Sequence, residues 1–317
     1  MKAPDLISVI IPCYNREKLI KRAIKSLQDQ TYSNIEIFVV DDCSTDNSVQ
    51  VIKKQMETDS RIKLLENQTN SGANYSRNQG IRAAKGSYLS FLDSDDEWTP
   101  ETLELLYKKI TNCPEKVGAV YSGMLKILGE EKQKIYPKHR GEVFKKLMTE
   151  GTIGTYPLIK REVFEKVGLF DEHEILRKGG HQDYEMWIRI AQFYEFEYVN
   201  KLTLIYHFQQ DSITFNTLIK NPEKKIRAYL YIWNKYRERI GNDREIYAFY
   251  CYKIFELLSA GKRRKLAKKV LFMGLKARPF QPRVYYHLLA YFNEFYSPID
   301  IMARVEKYAR TLWRGLR

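Results

Sequence analysis

The sequence lacks any cysteine pattern that would indicate a disulfide framework or a zinc site. Its four cysteines are scattered along the chain at Cys13, Cys43, Cys113 and Cys251, and no Cys-x-x-Cys pair occurs. Zinc sites usually draw on closely spaced cysteine pairs, and disulfide-rich domains belong to oxidising compartments. The cysteine usage therefore favours a reducing cytoplasm.

Long apolar runs are absent as well. No stretch approaches the roughly 18–20 apolar residues that a transmembrane helix needs. The first apolar segment, Leu6–Ile11, is short and leads into a proline and polar residues, unlike the apolar core of a secretory signal. We therefore expect neither a membrane span nor a leader. A content of 44% hydrophobic and 29% charged residues is typical of a globular protein.

A glycine-rich turn is missing where a dinucleotide-binding fold would need one. The apolar strand Ile7–Ile11 leads into Pro12-Cys-Tyr-Asn15, which offers no glycines for a pyrophosphate at a helix N-terminus. This excludes a nicotinamide-dependent dehydrogenase. The chain also shows no Ser-His-Asp or Cys-His arrangement that would suggest a covalent intermediate.

Positive charge is concentrated in the last third of the chain. Residues 215–317 hold 23 of the 53 Lys and Arg residues but only 8 of the 39 Asp and Glu residues, whereas the preceding part is nearly neutral. A strongly basic segment favours an anionic partner, such as a membrane surface or nucleic acid.

The first hundred residues alternate between strand and helix patterns. Apolar, β-branched runs predict strands, and apolar residues at helical spacing predict the helices between them. The predicted strands are Ile7–Ile11, Ile35–Val40, Arg61–Leu65 and Tyr88–Leu92, and the predicted helices cover Lys18–Asp29, the segment after Asp46, and Tyr75–Ala84. This alternation predicts an α/β fold with a doubly wound, mostly parallel sheet flanked by helices.

The pattern changes twice further along. Strand-like Val117–Tyr121 and Leu125–Leu128, short helices near 142–149 and 162–166, a helix over His181–Tyr194 and a strand over Phe196–His207 follow in that order. Beyond Leu218 only helical periodicity remains. We therefore expect an α/β domain at 1–217, with halves 1–100 and 101–217, and a basic, all-helical C-terminal extension at 218–317.

Acidic clusters follow two of the predicted strands. Asp41-Asp42 ends the second strand, and Asp93, Asp95 and Asp96 end the fourth. Ligands of parallel sheets bind beyond the carboxyl ends of the strands, and clustered carboxylates suit a hard divalent cation such as Mg²⁺ or Mn²⁺. The alternative interpretation is a solvated acidic turn that caps the next helix.

Five blocks of sequence, in order, carry a resemblance to a known family. They are Ser8-Val-Ile-Ile-Pro-Cys-Tyr-Asn15, Val39-Val-Asp-Asp-Cys-Ser-Thr-Asp46, Asn70-Ser-Gly72, Ser76-Arg-Asn-Gln-Gly80 and Phe91-Leu-Asp-Ser-Asp-Asp96. Together they resemble glycosyltransferase family 2, whose members have the GT-A fold. The resemblance covers about residues 6–100, is weaker over 151–214, and gives nothing usable beyond that.

The resemblance implies roles for individual residues. It places the nucleotide base near Pro12 and Tyr14, an acceptor for that base at Asp42, and a basic residue for the diphosphate at Arg77. The implied nucleotide-sugar-binding residues are Pro12, Tyr14, Asn15, Asp42, Arg77, Asp93 and Ser94. The implied metal ligands are Asp95, Asp93, Asp96 and His207. Alternatively, Tyr14 could be a core residue and Arg77 an exposed helix charge.

The segment His181-Gln-Asp-Tyr-Glu-Met-Trp-Ile-Arg189 resembles the part of the family that carries the catalytic base, which would be Asp183. We expect the start of a helix to keep Asp183 ionised; the alternative is that it only caps the helix. Gln182 stands where an acidic residue is frequent in the family. Later, His207 stands two residues before the family's usual histidine position, Gln209, so a structural role for His207 stays open.

The implied activity is transfer of a hexosyl or N-acetylhexosaminyl group from a nucleoside-diphosphate sugar, most simply a UDP-sugar, to a hydroxyl of a glycan or lipid-linked acceptor. The family performs a metal-assisted single displacement with inversion, and we expect a role in surface polysaccharide synthesis. The alternatives are a GDP- or dTDP-sugar donor, or an inactive homologue that binds a nucleotide or glycan as a scaffold.

The basic tail contains the stretch Gly261–Arg278, in which apolar residues recur at helical spacing. A basic amphipathic helix suits an anionic membrane surface, so we expect a cytoplasmic protein attached peripherally to the inner face of the membrane. The tyrosine-rich segment Tyr285–Tyr296 could add interfacial aromatic residues. A helical subdomain with a solvated basic face is the alternative. No nucleic-acid module is recognisable, so we do not expect a nucleic-acid partner.

Overall fold

The computed structural model describes residues 5–151, 153, 155–208, 222–260 and 263–278. The chain forms two compact units. The first contains residues up to His173 and the segment that starts at Gln182, and the second contains Glu174–His181 and the helices from Pro222 onward. The predicted boundary between residues 217 and 218 and the segment Tyr285–Tyr296 lie outside the described residues.

The first unit is a sheet covered by helices. Its strands are β1 Ile7–Cys13, β2 Ile35–Asp41, β3 Ile62–Glu66, β4 Tyr88–Phe91, β5 Glu97–Trp98, β6 Val117–Leu128, β7 Glu131–Ile135, β8 Leu158–Lys160 and β9 Glu195–His207. Its helices are α1 Ile20–Gln28, α2 Ser48–Met56, α3 Ala73–Ala83, α4 Thr102–Thr111, α5 Phe144–Glu150, α6 Arg161–Val167 and α8 Gln182–Ile190. The short helix α7, Glu174–Gly179, belongs to the second unit.

The sheet has the strand order β3-β2-β1-β4-β8-β6-β9-β5, and β7 pairs with β6. The first four strands in this order are parallel, as the sequence pattern predicts. The remaining strands pair in both directions, because β8 runs antiparallel to its two neighbours β4 and β6. The parallel part of the sheet therefore lies within residues 1–100, the predicted first half of the α/β domain.

Both faces of the central strands are covered, which explains their uninterrupted apolar sequences. On one face, Val9 and Ile11 of β1 pack in a cluster with residues of α1 and α4. On the other face, Ile10 meets α3 so closely that a Cβ on Gly80 would lie 2.5 Å from Ile10 Cγ2. Glycine at position 80 therefore allows α3 to approach β1 and fixes the helix against the sheet.

Some elements differ from their predicted extents. The two strand-like segments of residues 117–128 form one continuous strand, β6, and the helix predicted over 181–194 spans only Gln182–Ile190. The strands β5 and β7 have no sequence signal. β5 has only two residues, and β7 is a mostly exposed, charged edge strand that exists because it pairs with β6.

The second unit contains α9 Pro222–Lys235, α10 Arg237–Asn242, α11 Arg244–Ala260 and α12 Arg264–Ala277, so its described part is helical as predicted. The unit has its own core, in which Tyr252 and Phe255 of α11 pack with Ala267 and Leu271 of α12. None of the helices in the described ranges is long and apolar enough to cross a bilayer.

Candidate active site

The carboxyl ends of β1, β2 and β4 meet at one edge of the sheet, because these strands are parallel neighbours. Pro12 is buried at the end of β1, whereas the side chain of Tyr14 is 43% exposed. That exposure rules out the interpretation of Tyr14 as a core residue. An exposed aromatic ring at a strand end is suited to stacking on a planar ligand such as a nucleotide base.

Asn15 connects the loop after β1 to the loop after β2 through two hydrogen bonds. Its backbone N–H donates to Ser44 Oγ (2.9 Å), and its side-chain Oδ1 accepts from the backbone N–H of Thr45 (2.8 Å). Asn15 has a φ of 50°, a left-handed conformation that asparagine tolerates better than most residues. The described structure therefore gives Asn15 a loop-positioning role next to Tyr14.

Asp42, directly after β2, is buried and organises the start of α3. Its Oδ1 accepts from the backbone N–H of Ser71 and from Asn67 Nδ2, both at 2.9 Å, and its Oδ2 accepts from the backbone N–H of Gly72 at 2.7 Å. A carboxylate with three donors is well satisfied in a buried position. Asp42 therefore fixes the geometry of the loop that begins α3.

Arg77 of α3 is buried, with 4% exposure, so it is not a solvated helix charge. Its Nη2 donates to Asp93 Oδ1 (2.8 Å) and to the hydroxyl of Tyr156, and its Nη1 donates to Asn74 Oδ1 (3.1 Å). The guanidinium carbon lies 5.0 Å from the centroid of the Tyr156 ring. These contacts hold a positive charge in a fixed position beside the acidic turn after β4.

The acidic turn after β4 carries mutually repelling carboxylates. Burial, followed by repulsion from Asp93 and Asp95, raises the pKa of Asp96 well above its usual value. Burial, followed by repulsion from Asp93, also raises the pKa of Asp95. Ser94, which lies between Asp93 and Asp95 in the sequence, is buried. A divalent cation would relieve this repulsion, so the donor set fits a hard metal ion.

The carboxylates of this turn do not form a closed metal cage. Within the described ranges, no three His, Cys, Asp or Glu side chains are arranged as a ready-made ligand set. Mg²⁺ usually binds one or two carboxylates together with substrate phosphates. The residues of the turn therefore fit an ion whose coordination is completed by a diphosphate.

His207 lies at the end of β9, next to the acidic turn, because β9 pairs with β5. Its backbone N–H donates to Asp96 Oδ1 (3.0 Å), and its imidazole Nε2 lies 2.7 Å from Glu97 Oε1. Coordination of a metal through Nε2 would require the contact with Glu97 to break. The predicted alternative position, Gln209, lies outside the described residues.

Asp183 is in the first turn of α8 and is part of the same electrostatic cluster. Burial raises the pKa of Asp183, while Arg77 lowers it and Asp93 raises it. The net shift of the pKa is upward, because burial outweighs Arg77 and the stabilising backbone N–H groups. An upward shift suits a general base, whose ideal pKa lies near the working pH.

Tyr156 also lies at the site, next to Arg77, although the sequence does not predict it there. Its hydroxyl accepts from Arg77, and its ring contacts Trp187 (centroids 5.8 Å apart) and Phe91 (5.9 Å). Trp187 lies on α8, the helix that carries Asp183, and is fully buried, as expected of a core residue. Tyr156 precedes β8 outside every motif of the resemblance, so only the fold shows that it lies beside Arg77.

Comparison with known proteins relates the chain to a family. The sequence profile described as Glycosyl transferase family 2 matches residues 8–168. A Campylobacter jejuni protein named GalNAc(5)-diNAcBac-PP-undecaprenol beta-1,3-glucosyltransferase is 31% identical over 240 residues, which cover 71% of this chain and 72% of that protein.

Two solved structures have a similar fold. The Staphylococcus aureus TarS fragment 1–349 in complex with UDP-GlcNAc has a TM-score of 0.58 and 17% identity, covering 86% of this chain and 88% of that one. The Pyrobaculum calidifontis mannosyltransferase PcManGT in complex with GDP-Man and Mn²⁺ also has a TM-score of 0.58 and 17% identity, covering 95% and 84%. At this level of identity the similarity shows the fold alone.

Proposed function

Because the chain belongs to glycosyl transferase family 2, we propose that it transfers a hexosyl or N-acetylhexosaminyl group from a UDP-sugar to a hydroxyl of a glycan or lipid-linked acceptor. The observation that carries this proposal is the cluster of Arg77, Asp93 and Asp183 at the carboxyl edge of the sheet. The cluster supports the proposal because it combines a buried cation, a carboxylate that could bind a metal and a carboxylate that could act as base.

The donor side of the proposed site uses the strand ends. Tyr14 stacks on the nucleotide base beside Pro12, and Asp42 holds the loop at the start of α3 that borders the base. Arg77 binds the diphosphate and stabilises the negative charge that develops when it leaves. Asp95, together with Asp93 or Asp96, would hold a Mg²⁺ or Mn²⁺ ion, which neutralises charge on the leaving diphosphate when bound.

The acceptor side of the proposed site depends on Asp183. The acceptor hydroxyl attacks the anomeric carbon, its proton passes to the Asp183 carboxylate, and the bond to the diphosphate breaks in the same displacement. One displacement inverts the anomeric centre. The raised pKa of Asp183 supports this role, because a more basic carboxylate is a better proton acceptor.

We also propose a setting for this reaction, namely surface polysaccharide or cell-envelope glycan synthesis at the inner face of a membrane. The name of the Campylobacter jejuni relative includes an undecaprenol-diphosphate-linked glycan, which is a lipid-linked acceptor. The basic helices of the second unit would bind an anionic membrane surface. The scattered cysteines support a cytoplasmic location.

The test is a binding and hydrolysis panel of UDP-, GDP- and dTDP-sugars, each with Mn²⁺, Mg²⁺ or a chelator. We expect one UDP-sugar to bind and to be hydrolysed slowly with metal, and we expect Asp95→Asn to abolish the metal dependence. The exposed Glu101→Gln variant is the control for a general loss of negative charge. If only a GDP- or dTDP-sugar binds, the donor assignment changes. If a nucleotide sugar binds but is never turned over, the scaffold alternative is favoured. If no nucleotide sugar binds, the proposal is refuted.

A further inference from the structure

The helical unit contains an open apolar groove between α9, α11 and α12, with a volume of about 460 Å³. This volume falls within the roughly 300–1,000 Å³ of typical ligand sites. Each of its two walls is a helix stripe with apolar residues at i, i+4 and i+7. The stripes are Ile226, Leu230 and Trp233 on α9 and Leu266, Val270 and Met273 on α12.

The helix α12 has two apolar faces with different environments. One face, with Ala267 and Leu271, is fully buried against α11. The other face lines the groove, where Leu266 is 47% and Met273 is 42% exposed; Leu230 on the opposite wall is 42% exposed. Several large apolar side chains that face one groove are more than the scattered exposed apolar residues of an ordinary surface, and such patches mark interaction sites.

The charges around the groove define what it can bind. Residues 263–278 contain seven Lys and Arg and no Asp or Glu. Arg227 and Arg263 are among the lining residues, and Glu223, the one acidic residue in the described part of the lining, forms an ion pair with Arg263. A ligand that matches this surface has an apolar body and an anionic end.

We propose that the groove takes up a hydrocarbon chain of an anionic membrane phospholipid, while the basic side chains of α12 bind headgroup phosphates. A second copy of this chain fits less well, because it would bring the same excess of positive charge to the interface, even though Arg263 and Arg278 are in ion pairs. The inference rests on the membrane attachment in the proposed function and specifies how that attachment is made. It does not depend on glycosyl transfer, so the two can fail separately.

Trp233 provides a direct test, because it lies in the groove wall and an acyl chain in the groove would contact it. The full-length protein is mixed with vesicles of phosphatidylglycerol and phosphatidylcholine that carry brominated acyl chains, which quench tryptophan fluorescence on contact. We expect quenching in the wild type and its loss in Trp233→Phe. The control is Trp98→Phe, which changes a tryptophan buried in the core of the first unit and should keep the quenching.

Binding to the same vesicles without bromine gives a second, independent readout. We expect the double variant Leu266→Gln/Met273→Gln to bind about tenfold or more weakly, because it removes two apolar side chains from the contact. Phe272→Gln is the matched control, since Phe272 is 49% exposed on the same helix but does not line the groove.

Three results would overturn the inference. The first is salt-sensitive vesicle binding without quenching of Trp233, which would leave a purely electrostatic attachment. The second is equal loss of binding in Phe272→Gln and in the double variant, which would show that the whole helix surface, not the groove, contacts lipid. The third is a dimer in solution that Leu266→Gln dissociates, which would identify a second copy as the occupant.

Discussion

At the scale of single residues, the guanidinium of Arg77 connects the parts of the site. It donates to a carboxylate of the acidic turn, to the hydroxyl of Tyr156 and to the amide oxygen of Asn74, all while buried. Burial of an arginine costs less free energy when its donors are paired; Nη1 and Nη2 are paired here, whereas Nε is not, so the acceptors of Nη1 and Nη2 determine where the charge lies. We infer that the precision of diphosphate binding depends on the acceptors as well as on Arg77 itself.

Tyr156→Phe tests this dependence, since it removes one acceptor of Arg77 and keeps the ring contacts. Hydrogen bonds to charged groups contribute about 1.5–3 kcal/mol, so we expect kcat/KM for the donor to fall about tenfold or more with little change in melting temperature. Tyr136→Phe, which changes an exposed tyrosine, should have no effect. Equal kinetics for Tyr156→Phe and the wild type would contradict a positioning role.

The positions of site residues that follow a strand end could be predicted from the sequence. The positions of residues that depend on tertiary contacts could not be predicted. Asp42 and Asp93 follow apolar runs, so the parallel sheet alone places them at one edge. The contact between Tyr156 and Arg77 joins residues 79 positions apart and leaves no pattern in the sequence. The net pKa shift of Asp183 was likewise not predictable, because it depends on burial in the folded protein.

At the scale of elements, the position of α3 on the sheet is set by contacts at two points. Gly80 allows the helix to approach β1, and the Asp42 carboxylate holds the backbone of Ser71 and Gly72 at its start. Since α3 carries Arg77, any displacement of this helix moves the charge that would meet the diphosphate. Asp42 therefore combines a structural role with its expected place beside the base.

Asp42→Asn should reveal the structural role of Asp42. The amide has one acceptor oxygen in place of two, which leaves buried backbone N–H groups unpaired at about 1–3 kcal/mol of unfolding free energy. We expect a loss of this size in chemical denaturation. The exposed Asp29→Asn should cost no more than about 0.5 kcal/mol, since it breaks only a surface ion pair with Lys25. Unchanged stability of Asp42→Asn would show that Asp42 serves ligand binding alone.

Elements with an apolar core-facing pattern were predictable, and short edge elements were not. The strands β1, β2 and β4 are apolar because helices cover both faces, and that burial is what the sequence pattern reports. The two-residue strand β5 is held by its pairing with β9 and by the bond from Thr99 N–H to the carbonyl of Thr203. Those contacts arise only after the chain has folded.

At the scale of the whole molecule, the two compact units differ in net charge and in the functional groups that they contain. The proposed catalytic groups all lie in the nearly neutral first unit, and the groove and basic helix α12 lie in the second. An excess of positive charge favours binding of the second unit to anionic surfaces. The acidic turn of the first unit contains mutually repelling carboxylates, and a cation bound together with a diphosphate would relieve that repulsion.

Thermal unfolding with Mn²⁺ and UDP tests this joint binding. Since the described acidic turn is not a closed cage, we expect Mn²⁺ alone to shift the melting temperature little. Mn²⁺ with UDP at about 100 times its Kd should add about 2.7 kcal/mol, a shift of roughly 5–10 °C. Asp95→Asn should lose the joint shift, and Glu101→Gln should keep it. A full shift with Mn²⁺ alone would contradict joint coordination.

The most direct test of the proposed reaction compares UDP release from the preferred donor by the wild type and by Asp183→Asn across a range of pH. We predict that kcat falls about 10²–10⁴-fold in the variant while donor affinity is retained, because only the proton acceptor is removed. In the wild type, kcat/KM should fall as the pH drops through the pKa of Asp183, and this fall should begin at a higher pH than for an ordinary aspartate, since burial raises that pKa. A variant with nearly wild-type kcat would show that Asp183 is not the base.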